Sequence, residues 1–132
     1  MMALSIRPVW AWAIIHAGKD VENRPRACNY RGRFLVHASL DATKEDFEKA
    51  IGMFAAESDL GTLPSEDEFA VGGIIGSVEL CRVSDACDSP WFEPGSIAWL
   101  LRNPRPLHFL PCRGYRNWFH VPDDLIPVSH RT

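Results

Sequence analysis

The chain has 132 residues, 46% of them hydrophobic and 23% charged, with a formal net charge of −3. That length suits a single domain, 1-132, with a real core, and the composition is that of an ordinary soluble globular protein. No run approaches the roughly 18 continuous apolar residues of a membrane span. The stretch Met1-Met2-Ala3-Leu4-Ser5 lacks the basic-then-apolar order of a secretory signal, so a cytoplasmic protein without membrane contact is expected.

Ala3–Ile6 reads as a short strand. Pro8 then suits the first turn of a helix and Gly18 its stop. Between them Val9-Trp10-Ala11-Trp12-Ala13-Ile14-Ile15 is apolar on nearly every side, which describes a buried helix. The next stretch, Gly18-Lys19-Asp20-Val21-Glu22-Asn23-Arg24, places opposite charges in a loop directly after that helix. It can hold an anionic or hydrogen-bonding ligand, or it can be a plain ion-pair network.

Arg31–Ser39 reads as a strand with Phe34, Val36 and Ala38 on one face and Arg33, Leu35, His37 and Ser39 on the other. Thr43–Ser58 is the clearest helix. Phe47, Ala50, Ile51, Phe54 and Ala55 form its apolar stripe, and Thr43 is its N-cap. Gly61–Phe69 reads as a polar loop able to act as a lid. Gly72–Val83 is a long strand, Asp85–Gly95 a loop, and Ser96–Arg102 and Pro106–Leu110 are strands split by Asn103-Pro104. Strands and helices do not alternate regularly, so a doubly wound sheet is not expected. The order suggests an α+β fold: a small β-barrel of five or six strands with two main helices packed on it.

Charge is unevenly spread. From Asp41 to Glu68 there are nine acidic residues and two lysines, net −7, leaving a body of net +4. All eleven arginines lie in that body. Arginine suits bidentate recognition of phosphate and stacking on bases. The four cysteines (Cys28, Cys81, Cys87, Cys112) show no CxxC pairing and read as reduced, mostly buried thiols, with Cys112 the exception because of its neighbours. Neither they nor the five histidines show metal spacing, so no metal and no cofactor are expected.

Several segments, in order, resemble an ASCH domain, a member of the PUA-like superfamily first described in activating signal cointegrator 1. They are Leu4-Ser5-Ile6-Arg7, the loop Gly18-Lys19-x-x-Glu22-x-Arg24, and Tyr30-Arg31-Gly32-x-Phe34-Leu35-Val36-His37-Ala38-Ser39. Next come Gly73-Ile74-Ile75-Gly76-x-Val78-x-Leu80 and Ser89-Pro90-Trp91-Phe92, then Trp99-Leu100-Leu101-Arg102-Asn103-Pro104 and Pro111-Cys112-Arg113-Gly114. The resemblance covers roughly residues 3–121. One departure is Arg7-Pro8-Val9-Trp10, where the family commonly has Gln-Pro-Trp. The resemblance implies a compact β-barrel with a cleft and RNA or DNA binding. It also implies two enzymatic alternatives: hydrolysis of N4-acetylcytidine to cytidine, which one branch performs with a Lys, a Thr and a Glu, and ribonuclease activity. Lys19 matches that Lys, but Glu22 stands where the branch has its Thr.

The candidate nucleic-acid-binding residues are Lys19, Arg24, Arg31, Arg33, Arg113 and Arg116, with Trp10 as a base-stacking group and Ser39 beside them. Lys19 and Glu22 are the candidate catalytic pair, the lysine as base or nucleophile and the glutamate as proton carrier. Against these stand plainer roles. Lys19, Glu22 and Arg24 can be mutual ion pairs, Trp10 and Trp99 can be core, and Trp91-Phe92 is either an exposed binding pair or a barrel cap. His37 and Ser39 can face Lys19 across a cleft or be satisfied structural groups. Three functional readings follow. The first is a nucleic-acid-binding protein, RNA favoured over DNA, whose many phosphate contacts make affinity fall steeply with salt. The second is an amidohydrolase acting on an acylated nucleoside. The third is an interaction module that docks a protein partner on the acidic helix 43-58.

Overall fold

The computed structural model describes residues 1–131. Six strands form one sheet: β1 (Met2–Ile6), β2 (Val21–Arg24), β3 (Gly32–Ala38), β4 (Gly73–Ser84), β5 (Ile97–Pro111) and β6 (Phe119–His120). Two α-helices accompany them, α1 (Pro8–His16) and α2 (Lys44–Ala56), with single 3₁₀ turns elsewhere. The strand order is β2-β5-β4-β3-β1-β6. Only β1 and β3 run parallel, because α1 and β2 lie between them in sequence and give the crossover its length. The other four pairings are antiparallel. The α+β class, six strands and two helices match the sequence expectation. The ladder does not close into a ring, however: β2 and β6, four and two residues long, remain as its two edges.

Helix α1 forms as its residues dictate. Pro8 occupies its first turn, and Pro8, Val9, Ala11, Ala13, Ile14 and Ile15 are buried. It covers one face of the sheet, where Ile14 and Ile15 meet Phe34, Val36, Val78, Leu80 and Leu101 in the main core. The other face carries a smaller cluster built on Leu35, Ile74, Phe119 and Ile126. Strand β3 is therefore covered on both sides, and His37 is among the buried residues of its second face.

Three local readings change. Asn103-Pro104 does not split a strand: β5 runs through it as a bent element, with Asn103 at φ +55° and register shifts against β4. The stretch after Lys19 is not all loop, because Val21–Arg24 pairs with β5, Glu22 opposite Trp99. Helix α2 is capped by Thr43, whose Oγ1 accepts from the Asp46 amide at 3.1 Å, but its inward stripe is rotated. Asp46 and Ala50 are buried, while Ile51 is 48% exposed and Ala55 also faces outward. The reason is Asp46, drawn inward to the Arg7 guanidinium, with Nη1 3.4 Å from its carboxylate. The four cysteines are free and partly exposed rather than mostly buried. Among the described residues no helix is long and apolar enough to cross a membrane, and no group of His, Cys, Asp and Glu could hold a metal.

Candidate functional site

A cleft of about 750 Å³ opens where the end of α1 and the start of β2 meet α2 and two loops. That volume lies in the range of small-ligand sites. Its floor comes from the turn after α1. Gly18, at φ +72°, reverses the chain so that the Lys19 amide donates back to the Ala13 carbonyl at 3.0 Å. The Leu101 amide then donates to the Asp20 carbonyl at 2.8 Å and ties this turn to β5. Lys19 is thereby held under the helix end and is only 5% exposed.

Its ammonium donates to the Val21 carbonyl and stands 3.6 Å from Glu22 Oε1, with Nζ 5.9 Å from the Trp10 ring centroid. Burial pushes the Lys19 pKa below its ordinary value, opposed by the Glu22 carboxylate and its hydrogen bond. Glu22 is itself buried and shared: Arg24 Nε donates to Oε2 at 2.9 Å, and Arg24 Nη2 lies 2.9 Å from the same oxygen. Arg24 also donates to the Ser5 carbonyl at 3.3 Å and lies with its guanidinium carbon 5.4 Å from the Trp99 ring centroid. The result is a chain of cation, carboxylate and cation with an indole beside each cation, buried at Lys19 and Glu22 and partly exposed at Arg24.

The walls are aromatic. Trp10 and Trp91 meet edge to face at 6.5 Å, and both line the cleft together with Phe92. Trp91 is buried, not exposed, because Asn23 Nδ2 donates to its carbonyl at 3.0 Å and Asn23 Oδ1 accepts from the Glu93 amide at 2.9 Å. Helix α2 supplies Asp46, Lys49 and Met53, and Lys49 lies 3.8 Å from Glu93 at the mouth. The third side is Tyr115, Arg116 and Asn117. Five cations (Arg7, Lys19, Arg24, Lys49, Arg116) and four carboxylates (Glu22, Asp41, Asp46, Glu93) line the cleft, so its charge is nearly balanced. Four of those cations have a carboxylate partner, and Arg116 has none among the described residues.

Of the residues picked out in the sequence, the fold brings Lys19, Glu22, Arg24, Trp10, Ser39 and Arg116 to this cleft. Arg31, Arg33 and Arg113 do not line it. Arg31 donates to the Cys28 and Tyr30 carbonyls, Arg33 to Ser77 Oγ and the Asn103 carbonyl, and Arg113 lies over the Tyr115 ring. Nor does His37 face Lys19. Its Nδ1 is 2.9 Å from Ser5 Oγ and its Nε2 is 2.7 Å from the Cys112 carbonyl, which identifies it as a structural link from β3 to the segment after β5. Burial raises the Cys112 pKa, which disfavours its thiolate form. Sequence reasoning missed Asn23, Glu93, Tyr115 and the α2 wall. Only Tyr115, an aromatic between two arginines, gave a signal that could have been read.

The fold matches solved structures of the same kind. An ASCH protein from Zymomonas mobilis superposes with a TM-score of 0.55 at 16% identity, over 94% of this chain and 89% of that one. A serine-to-alanine mutant of the Zymomonas mobilis protein gives 0.54 at 15% identity over the same shares. No family model and no curated protein matches the sequence. The chain has the fold of an ASCH domain.

Proposed function

We propose that the protein belongs with the ASCH domains in function as well as fold, and that it is a cytoplasmic protein binding single-stranded nucleic acid, RNA before DNA. One unstacked base enters the cleft. The observation that carries this reading is the cleft's make-up: indole walls, a fixed donor-acceptor floor and almost no net charge. A polyphosphate tract needs an excess of unpaired cations, whereas a base needs a π-surface and hydrogen-bonding edges, as single-stranded RNA readers supply. Lys19, Glu22 and Arg24 fit the edge of a base, and Trp10, braced edge to face by the buried Trp91, one of its faces. The preference for RNA is supported by Ser39, whose Oγ accepts from the Asp41 amide at 3.2 Å and whose proton has no acceptor among the described residues. In this reading that hydroxyl donates to a ribose 2′-hydroxyl, which DNA lacks.

This reading revises the expected salt dependence. Of the cations counted as phosphate contacts in the sequence, Lys19, Arg24 and Arg116 line the cleft, and among the described residues only Arg116 of these has no carboxylate partner, so affinity falls gently with salt, at about one phosphate's worth. The test is a titration of wild type and Lys19→Ala with a mixed single-stranded RNA pool and the matching DNA at low salt. Tighter RNA binding with a shallow salt slope, weakened in the variant, is expected. Absence of binding to either polymer overturns the reading.

A second reading rests on one observation, the lowered Lys19 pKa beside Glu22 in a cleft of nucleoside size. A desolvated lysine with a carboxylate neighbour suits an amidohydrolase that splits N4-acetylcytidine and water into cytidine and acetate. Acetate release that survives Lys19→Met excludes this mechanism. Ribonuclease activity would show as cleavage of the RNA in the same titrations.

A further inference from the structure

We infer that Tyr115 and Arg116 form a second subsite at the rim of the cleft, which takes the neighbouring base and the linking phosphate of a single strand. The inference rests on the base-in-cleft reading above and specifies its substrate: a strand of at least two nucleotides rather than a free nucleoside.

Tyr115 is 53% exposed, yet its ring is braced. Phe119 lies against it, tilted by 54° at 5.3 Å between centroids, and the Arg113 guanidinium covers one face, 5.2 Å from the ring centroid, leaving the other side for a base. Scattered exposed aromatics need no explanation. This one differs because it lines the cleft beside Arg116, the cleft cation without a carboxylate partner among the described residues. An aromatic face and an unpaired cation on consecutive residues supply the two contacts that one further nucleotide needs, a stack and a phosphate contact.

The segment is held at both ends, so the pair is presented with defined geometry. At its start His37 Nε2 bonds the Cys112 carbonyl, and Gly114 packs so tightly that a Cβ there would lie 2.6 Å from His37 Cε1 and 2.7 Å from Ser5 Oγ. At its end Trp118 stacks on Trp99 with centroids 6.0 Å apart and planes 1° apart. Between them Asn117 takes φ +60°, a left-handed turn that folds the chain back toward the core and leaves Tyr115 and Arg116 at the tip. Such preorganisation lowers the ordering cost of binding.

The experiment compares the four ribonucleosides with the corresponding dinucleoside monophosphates, followed by NMR titration of the wild-type protein, Tyr115→Ala, Tyr115→Phe and Arg116→Gln. In wild type the dinucleoside monophosphate binds tighter than the nucleoside by roughly tenfold or more, the order expected of one base–aromatic stack. In Tyr115→Ala that ratio drops toward one, and in Tyr115→Phe it is kept. Arg116→Gln reduces the salt slope of dinucleoside binding by about 0.7. A wild-type ratio near one, or a ratio unchanged in Tyr115→Ala, overturns the subsite while leaving the cleft reading in place. Failure of wild type to bind any of these ligands overturns the cleft reading and the subsite with it.

Discussion

Two of the protein's carboxylates, Glu22 and Glu79, are each set beside two cations, and the two places behave differently. In the cleft Glu22 lies between Lys19 and Arg24. On the strands away from it Glu79 accepts from Arg102 Nε at 2.9 Å and Nη2 at 2.6 Å, with Arg33 nearby. The outer pair has the shorter contacts. Yet the Arg102 side chain is 62% exposed, whereas those of Lys19 and Glu22 are 5% and 10% exposed. Charges beside water gain little from one another, because solvent screens them and hydrates each partner when the pair opens. Charges without water depend on the partner alone. Contact distance is therefore a poor guide to which network matters, and burial is the better one.

The largest effect expected follows directly. Glu22→Ala leaves the buried Lys19 and the partly buried Arg24 without their carboxylate and costs about 3–5 kcal/mol of stability. Glu79→Ala, removing an equally well-formed pair in solvent, leaves the urea midpoint close to wild type. Equal losses in the two variants would break the comparison. The next effect is on binding. On the base-in-cleft reading, Arg24→Gln weakens RNA binding about tenfold, the order of one charge-assisted hydrogen bond, while Arg102→Gln leaves it unchanged. Equal loss in both, measured by fluorescence anisotropy at one salt concentration, would move the interface from the cleft to the outer strands.

Much of this contrast could be read from the residues, and its limits have physical causes. Pro8 and Gly18 bounded α1 because each has backbone preferences that act locally, and Thr43 marked the start of α2 for the same reason. Strand β2 was hidden because Val21–Arg24 is short, polar and an edge, stabilised by β5 some seventy residues away rather than by its own pattern. The continuity of β5 through Asn103-Pro104 was hidden by the opposite circumstance: local breakers overruled by the long pairing with β4. The α2 face was misplaced because Asp46, polar by type, is carried inward by Arg7, a residue far from it in sequence. Lys19, Glu22 and Arg24 were grouped correctly by proximity. Nothing in their spacing distinguished them from Arg31 and Arg33, whose guanidinium groups are spent on backbone carbonyls and Ser77.

The smallest expected effect is also the one that separates the two networks most cleanly, because they respond to pH at opposite ends of the scale. Glu79 is held below its ordinary 4.5, chiefly by the Arg102 hydrogen bond. Its contribution is complete above 4.5 and is lost as pH falls through the lower folded value. Lys19 is held below 10.5 by burial. Below its folded value both the folded and unfolded chains carry that proton, and the burial penalty is fully present. Between the folded value and 10.5 the unfolded chain binds more protons than the folded one, so stability rises with pH across that window. Over the acid range the pH slope of the urea midpoint is smaller in Glu79→Gln than in wild type, Glu68 and Asp123 keeping the rest, and is unchanged in Lys19→Met. Over the alkaline range, up to about the ordinary lysine value, Lys19→Met loses the rising contribution and shows the opposite trend of Tyr30 and Cys112, whose pKa values burial raises, while Glu79→Gln keeps the wild-type slope. An alkaline rise that persists in Lys19→Met would mean that the buried ammonium is not the group being relieved, and the contrast drawn between a buried and an exposed network would fall with it.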